Sequence, residues 1–428
     1  MNCNTQNEKI ASITSKTLVV GIDVGSETHY ARAFNYRGYE FSKKPLAFSN
    51  DEAGFKTFKD WMDDIAEKNH MNQIFPGMEP TGHYWFNLAV FLQNNGMKVL
   101  HVNPHHVKKS KELDDNNPSK NDRKDPKVIA GLINEGRFTY PYIPTGVYAE
   151  VREYSNQRMQ AQEQLTRVKN RIARWFSIHF PEYKDVYNFT DAASGMAILK
   201  VAPLPCDIVE LGKDGIVAIW RDLKMRAAGE KRAEKLLEAA THSVGSKEAP
   251  EAARQELFDL FDDYEKYSKR VDDLMQKLTE KMQEIKYIDK LLEIKGIGIV
   301  TASTFIAEVG DIGRFDNPKQ IQKLAGFAIV ADSSGKHKGE SRISYRGRKH
   351  LRYALYEAAI SVTGKNAEFN ALHKYFTTRD RNPLKKMQSM IAIACKLIRI
   401  FYTILTKGVT YDGKKMMNDI VRPDLEVA

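Results

Sequence analysis

Three short motifs in the first third of the chain carry carboxylates that could bind cations. GIDVG (21–25) and GMEPTG (77–82) each place an acid after an apolar run, and NDRKDP (121–126) places two acids three residues apart. Each motif also has a purely structural interpretation. Asp23 could cap a turn, Glu79 could lie in a surface loop, and Asp125 before Pro126 is typical of an N-cap followed by proline.

Taken together, the four acids Asp23, Glu79, Asp122 and Asp125 favour a shared site. In the order in which their strands and helix are predicted, their carboxylates converge in one cleft and repel one another unless divalent cations neutralise them. Hard oxygen ligands with open positions suit Mg²⁺. Two such ions about 4 Å apart can hold the attacking and leaving oxygens of a phosphodiester. We therefore predict that these acids hold Mg²⁺, with two ions as the expected number.

A second group of reactive residues lies in the polar loop ADSSGKHKGESRISYRGRKH (331–350), where Ser333 and Ser334 precede Gly335. A hydroxyl surrounded by cations could attack a phosphate, since the cations stabilise the developing charge. Local composition alone favours a flexible loop that grips a nucleic-acid backbone. The cations predicted to bind phosphates are Lys336, Lys338, Arg342, Arg346, Arg348, Lys349 and Arg352.

The segment KGIG (295–298) is a further candidate for phosphate binding. It is similar to the hairpin of a helix-hairpin-helix element, whose backbone N–H groups meet phosphate at a helix start. Gly296 and Gly298 are therefore predicted to contact nucleic acid, and a tight turn between two packed helices explains the same glycines equally well.

The elements that must position the acids follow a recognisable order. Apolar and alternating patterns predict a strand over 17–25, two more strands over HYARAFNYRG and EFSKKPLAFS, and a helix over 52–68. Strand QIFPGME, helix YWFNLAVFLQNNG, strand KVLHVNP and helix PKVIAGLINEG follow. This order predicts a ribonuclease-H-like mixed sheet. Sugar kinases share the GIDxG pattern, but they also need a second phosphate loop with Asp before paired glycines, and this chain has none.

The middle of the chain has a different pattern. Residues 150–178 and 254–290 carry apolar side chains three and four positions apart with charged flanks, which predicts two long paired helices. A hairpin within one chain and a dimerising coiled coil are equally consistent with the pattern. Residues 181–250 read as a smaller helical insert.

Composition limits the class of protein. Lys and Arg number 65 against 55 Asp and Glu, and the resulting charge of +10 favours a polyanionic partner. Three distant cysteines exclude a disulfide framework and fit a reducing cytosol. The first residues lack the apolar core of a signal peptide, and Lys396 and Arg399 interrupt the most apolar late stretch. We expect a cytoplasmic protein without a membrane span.

The motifs and their order resemble the DEDD transposases of insertion sequences, the IS-one-ten (IS110) family of recombinases guided by a bridge RNA. The resemblance covers about residues 17–407. It rests on GIDVG, GMEPTGHYW, SKNDRKDPKVIAGL, GIGIVTASTFIAEVGD, KLAGFAIVADSSGK and ISYRGRKHLRYAL. Each segment alone is not specific for this family, but several of them in the family's order are.

The resemblance implies a first domain like the Holliday-junction resolvase RuvC, with the four acids as Mg²⁺ ligands. It implies that Ser334 is the nucleophile, with Ser333 as the neighbouring alternative. DNA strand exchange would proceed through a phosphoserine intermediate on donor and target DNA, with a structured guide RNA and a homodimer or homotetramer. Rival hypotheses are a RuvC-type structure-selective endonuclease without a covalent intermediate, a nucleic-acid-binding regulator with an inactive nuclease fold, and a sugar kinase.

The implied organisation combines an α/β domain with all-α regions. It comprises a disordered tail (1–16), a RuvC-like domain (17–148), a coiled-coil spacer (149–290) with its insert (181–250), a mainly helical transposase domain (291–410) and a tail (411–428).

Overall fold

In the computed structural model the chain divides into two compact units, Met1–Ile143 and Pro144–Ala428. The structure describes the chain except for residues 1–5, 43, 115–124, 188–192, 226–228, 331–332, 335–336, 339–341 and 419–428. The predicted spacer and the predicted C-terminal domain both fall within the second unit. This unit contains two hydrophobic cores.

The N-terminal unit is built on a six-stranded mixed sheet in the order β3-β2-β1-β4-β5-β6. Strand β1 pairs antiparallel with β2 and parallel with β4, which is parallel to β5. The strands are β1 Thr17–Asp23, β2 Thr28–Phe34, β3 Leu46–Ser49, β4 Gln73–Met78, β5 Leu100–Val102 and β6 Phe138–Thr139. The predicted mixed sheet is therefore confirmed, together with the α/β plus helical layout of the chain.

Three helices, α2 Glu52–Lys68, α3 Trp85–Asn94 and α5 Asp125–Asn134, bury apolar side chains in the cores of this unit. Helix α2 buries Phe55, Phe58, Met62 and Ile65 at helical spacing, and Asp51 caps its first turn through the Gly54 N–H. The helices of this unit are α1 Gln6–Ala11, α2 Glu52–Lys68, α3 Trp85–Asn94, α4 Pro104–Asp114 and α5 Asp125–Asn134.

The prediction of a disordered tail over 1–16 is wrong for the described part of that segment. Residues Gln6–Ala11 form helix α1, the Lys9 ammonium donates to the Phe138 carbonyl at 2.6 Å, and Ile13 is buried in the core. Helix α1 buries none of its side chains, so its sequence carries no apolar pattern that would indicate order. Its order comes from contacts with distant residues, which local composition does not encode.

In the C-terminal unit two long helices, α6 Val147–His179 and α11 Pro250–Gln283, lie side by side. Trp175 of α6 donates its indole N–H to the Ala253 carbonyl of α11 at 2.9 Å. The predicted pair is thus present within one chain, and its apolar stripes, with Leu165, Leu257 and Leu278, are largely buried there.

The insert between these helices packs around the adjoining ends of the pair and forms the first core of the unit. It contains α7 Tyr183–Val186, α8 Ala193–Leu199, α9 Pro205–Asp222 and α10 Glu230–Thr241.

The second core collects the remaining elements around α17 Lys386–Lys407. They are α12 Ile288–Leu292, α13 Ile299–Val309, a 3-10 turn Ile312–Arg314, α14 Pro318–Leu324, α15 Lys349–Lys365, α16 Ala367–Thr378 and α18 Gly413–Asn418. Among the described residues, α17 is the one helix long and apolar enough to cross a membrane, and half of that stretch is buried inside the unit.

The predicted tail over 411–428 contains a short helix where the structure describes it. Helix α18 spans Gly413–Asn418 and buries Met416 in the second core, and Tyr411 stacks on Phe369. Two adjacent methionines on an otherwise polar turn are too weak a signal to predict this helix.

Two short hairpin elements complete the fold. Strands β7 Ile329–Val330 and β10 Arg342–Ile343 pair antiparallel, and β8 Ser333–Ser334 pairs with β9 His337–Lys338. The segment that carries the serines therefore begins and ends at one short two-stranded ladder.

Candidate functional site

The first two acids lie at one edge of the sheet because their motifs are in register. Strands β1 and β4 pair in parallel, with Gly21 opposite Gly77 and Ile22 opposite Met78. Asp23 and Glu79 directly follow this last pair on the two strands, whose backbones are about 4.8 Å apart. Each acid comes two positions after its paired glycine, so both lie on the glycines' face of the sheet.

Helix α5 brings the third acid to the same face. A Cβ added at Gly21 would lie 1.8 Å from the Pro126 carbonyl oxygen, and one at Gly77 would lie 2.3 Å from Ile133 Cδ1. The two glycines thus form a flat surface on which α5 rests. Asp125, the first residue of α5, is held beside the ends of β1 and β4. The glycine-x-acid spacing common to both motifs was a sequence signal for this packing.

Electrostatics link Asp125 to Glu79 directly. Burial raises the pKa of the Glu79 carboxyl above its usual value, and the negative charge of Asp125 raises it further. The Lys111 ammonium and a hydrogen bond with Thr81 lower the same pKa. The site therefore holds more negative charge than it readily accommodates.

Lys111 was not among the predicted site residues. It lies near the end of α4, and its ammonium forms an ion pair with the Asp125 carboxylate, which is largely buried. A positive side chain thus already balances part of the acid charge. Nothing in the local sequence distinguished Lys111 from its neighbours Lys108 and Lys109, because the contact spans fourteen residues.

The three described acids are of the donor type that a hard divalent cation prefers. Asp23, Glu79 and Asp125 offer carboxylate oxygens at one sheet edge, and the ammonium of Lys111 shows that a cation is favourable there. Asp122, the predicted fourth ligand, lies outside the described residues. Within the part of the chain that the structure describes, no three acidic, histidine or cysteine side chains are close enough together to form a metal cluster.

Two histidines support the sheet edge as neutral groups. His29 Nδ1 accepts the Gly25 N–H at 3.2 Å, which fixes the turn after Asp23, and burial lowers the pKa of His29. His101 on β5 packs edge-on against Trp85, and burial lowers the pKa of His101 to about 4. His101 is therefore a packing residue rather than a cation at neutral pH.

The two serines lie on a short strand that pairs with its neighbour through the backbone. In the β8–β9 ladder Ser333 pairs with Lys338, and Ser334 pairs with His337. Gly335 and Lys336 lie outside the described residues. Both serines therefore belong to one tight hairpin of the C-terminal unit, whereas Asp23, Glu79 and Asp125 belong to the N-terminal unit.

The side chains of Lys336 and Lys338 lie outside the described part of the chain, and the other five predicted phosphate-binding cations divide into two sets. Arg348 donates to the Glu308 carbonyl at 2.7 Å, and Arg352 donates to the Ala325 and Tyr345 carbonyls, so both arginines also hold the fold together. By contrast, Arg342, Arg346 and Lys349 have exposed side chains.

The KGIG turn connects α12 to α13. Gly296 has φ +103°, and a Cβ there would lie 2.9 Å from Val362 Cα of α15, so this glycine serves a close helix contact. Gly298 precedes α13 at an exposed position, and a Cβ added there would have no atom within 4 Å. Gly298 is the more accessible of the two predicted contacts.

Comparison with known proteins agrees with this division of residues. A transposase family model, DEDD transposase of IS110, matches residues 20–181, and the model for transposases of the IS116/IS110/IS902 family matches residues 288–374. The first match contains all four predicted acids, and the second contains both serines.

Individual relatives match most of the chain or part of it. The insertion element IS116 uncharacterized 44.8 kDa protein of Streptomyces clavuligerus is 22% identical over 90% of this chain and 94% of its own. The insertion element IS900 uncharacterized 42 kDa protein of Mycobacterium paratuberculosis is 21% identical over 91% and 96%. A pilin gene-inverting protein of Moraxella lacunata is 31% identical over 31% of this chain and 41% of its own.

These matches define the class as transposases and recombinases, which are DNA-processing enzymes. The chain belongs to the IS110 family of insertion-sequence transposases.

Proposed function

We propose that this transposase cuts and exchanges DNA strands with Mg²⁺ held by its acids and a covalent bond to Ser334. The observation that carries the proposal is the in-register pair of acids at the ends of β1 and β4, with Asp125 and Lys111 beside them. The strand order around them supports a ribonuclease-H-like, RuvC-like assignment for the N-terminal unit.

The residues that would hold Mg²⁺ are Asp23, Glu79, Asp122 and Asp125. When bound, the ions supply positive charge to the non-bridging oxygens of a scissile phosphate and lower the pKa of a coordinated hydroxyl. Lys111 would leave Asp125 when the cations enter, because it balances the same carboxylate. The neutral His29 holds the Gly25 turn and thereby keeps Asp23 in place.

The proposed chemical step uses the Ser334 hydroxyl. The hydroxyl gives up its proton, its oxygen forms a bond to phosphorus, and the bond from phosphorus to the 3′ oxygen breaks. The released 3′ oxygen takes a proton and becomes a free hydroxyl. In the second step a 3′ hydroxyl from the other duplex attacks the phosphoserine and releases the serine, so the number of phosphodiester bonds is conserved.

The proposal also includes partners. The net charge of +10 suits donor and target DNA, and the family resemblance adds a structured guide RNA. The three distant cysteines suit a cytoplasmic location. The acids and the serines lie on different units, so the mechanism requires both units, from one chain or from two, to reach one phosphate. A homodimer or homotetramer remains a prediction, and light scattering with and without nucleic acid tests it.

Cleavage of labelled element-end DNA in Mg²⁺ tests the proposed function. We expect Asp23→Ala to abolish cleavage while the circular dichroism spectrum and melting temperature stay near those of the wild type. Asp60→Ala, which removes an exposed acid from α2 of the same unit, is the matched control and should cut normally. Normal cleavage by Asp23→Ala would refute the metal site.

A RuvC-type endonuclease without a covalent intermediate is the alternative. It shares the acid site and differs in the role of Ser334, which would then only bind DNA. Loss of cleavage in Asp23→Ala without any protein-linked DNA in the wild type would favour this alternative.

A further inference from the structure

A large open groove lies beside the serine segment in the C-terminal unit. Its volume is about 1450 Å³, and strands β7 and β10 and helices α15, α16 and α17 all contribute lining residues. Small-molecule sites usually measure about 300–1,000 Å³. The groove is thus large for a single small ligand and suits a stretch of polymer.

The charge of the lining selects an anionic occupant. Five cations line the groove, and its described lining contains no acidic side chain. Arg342, Lys349 and Arg399 have exposed side chains. Arg352 holds the Tyr345 carbonyl and also lies over the Tyr345 ring, with 5.3 Å from its guanidinium carbon to the ring centroid.

Aromatic rings line the same groove as these cations. The side chains of Tyr345 and Tyr353 are 63% and 66% exposed, although rings of this size are normally covered. Tyr345 has φ +55°, a left-handed conformation that costs a non-glycine residue free energy. Its N–H donates to the Gly326 carbonyl, and its own carbonyl accepts from Arg352. The fold therefore holds an exposed ring at the groove by a strained backbone.

We propose that this groove binds an unpaired DNA strand. Arg342, Lys349 and Arg399 would contact successive phosphates, and Tyr345 and Tyr353 would stack on bases, which is the combination by which single strands are generally bound. Paired bases bury their faces in the duplex and cannot stack on these rings. The inference rests on the proposed function, because it assigns the strand that lies next to the serine nucleophile.

The position of the groove supports this assignment. The serine segment leaves the groove at β7 and returns at β10, and Ile329, Arg342 and Ile343 of these strands line it. A strand seated in the groove would therefore run past the anchor points of the segment that carries Ser333 and Ser334. Holding the strand unpaired there would prepare it for exchange.

Fluorescence anisotropy on the full-length chain tests the groove, with labelled oligothymidine of about 12 nucleotides as the probe. Tyr353→Ala should weaken binding roughly 5- to 150-fold, and Tyr353→Phe, which keeps the ring, should bind normally. Tyr39→Ala is the control, since Tyr39 is 67% exposed in the N-terminal unit. Binding of an equally long duplex should change less than about twofold in Tyr353→Ala.

Salt dependence tests the phosphate contacts separately. Lys349→Ala and Arg399→Ala should each reduce the slope of log affinity against log salt by about 0.7 for single strands. Lys235→Ala, at an exposed position of α10 outside the groove, should leave the slope unchanged.

Three binding results would each overturn the groove assignment. They are unchanged oligothymidine binding in Tyr353→Ala, an equal loss of duplex binding, and a larger loss for oligouridine than for oligothymidine. The assignment also fails if Tyr353→Ala exchanges strands at the wild-type rate, and the proposed function then stands. If oligothymidine binds through Tyr353 but the wild type neither cuts DNA nor links to it, the groove stands and the proposed function fails.

Discussion

Gly21→Ala is the sharpest structural test of how the acid site is assembled. The new Cβ would lie 1.8 Å from the Pro126 carbonyl oxygen, whereas real contacts of this kind are not shorter than 3.0 Å. The two atoms must therefore separate by at least 3.0 − 1.8 = 1.2 Å. The Cβ is fixed rigidly to the backbone of β1 and the oxygen belongs to the backbone of α5, so strand β1 or the start of α5 has to move.

The displacement falls between two proposed metal ligands. Asp23 is two residues after Gly21, and Asp125 is adjacent to Pro126, so a shift of this size separates their carboxylates. A misplacement of about 1 Å can cost roughly 10²-fold in rate. We expect Gly21→Ala to lower DNA cleavage by about that factor and the free energy of unfolding by about 1–3 kcal/mol.

The assay pairs cleavage of labelled DNA with denaturant unfolding, and Gly131→Ala serves as the control. Gly131 is exposed on the same helix α5, and a Cβ there has nothing within 4 Å. Alanine at that position should stabilise the protein by about 0.5–1 kcal/mol and leave cleavage unchanged. Wild-type cleavage and stability in Gly21→Ala would refute the close packing of α5 on β1.

Three further predictions follow from charges near the site. Glu79→Gln should raise the free energy of unfolding at pH 7, because the raised pKa of Glu79 makes its ionised form destabilising, and the gain should vanish as the pH falls below its ordinary value of 4.5. Lys111→Met should lower the melting temperature without divalent cation, by the equivalent of up to about 1 kcal/mol. Added Mg²⁺ should restore this loss, and a melt that does not respond would count against cation exchange at Asp125. His101, with its pKa lowered from 6.5 to about 4, should make the wild type lose stability as the pH falls through that interval, because only the unfolded chain then takes up the proton. Equilibrium unfolding at several pH values should show this loss much reduced in His101→Gln, and an equally steep loss in that variant would disprove the assignment.

Much of the N-terminal sheet could be predicted from the sequence because its signals are local. The apolar run before Asp23, the alternating strand that follows and the amphipathic helix with Phe55 and Phe58 correspond to β1, β2 and α2. The short strand β6, Phe138–Thr139, was missed, because two residues are too few to show a period.

Contacts between distant residues account for what sequence patterns did not reveal. Lys111 reaches Asp125, and Lys9 reaches Phe138, through tertiary structure alone. The register of β1 and β4 must be known before Gly21 and Gly77 can be recognised as the paired residues on which α5 packs. The stripes of α6 and α11 indicated pairing but could not indicate whether the partner was in the same chain.

The role of Ser334 is the central claim, and detection of a protein-linked DNA strand tests it most directly. End-labelled DNA is incubated with wild type, Ser334→Ala, Ser333→Ala and Asp23→Ala in Mg²⁺ and separated on a denaturing gel, and the linked peptide is identified by mass spectrometry. We predict a linked band in wild type and Ser333→Ala, with the nucleotide on Ser334, and no band in Ser334→Ala or Asp23→Ala. A linked band that persists in Ser334→Ala would contradict the claim.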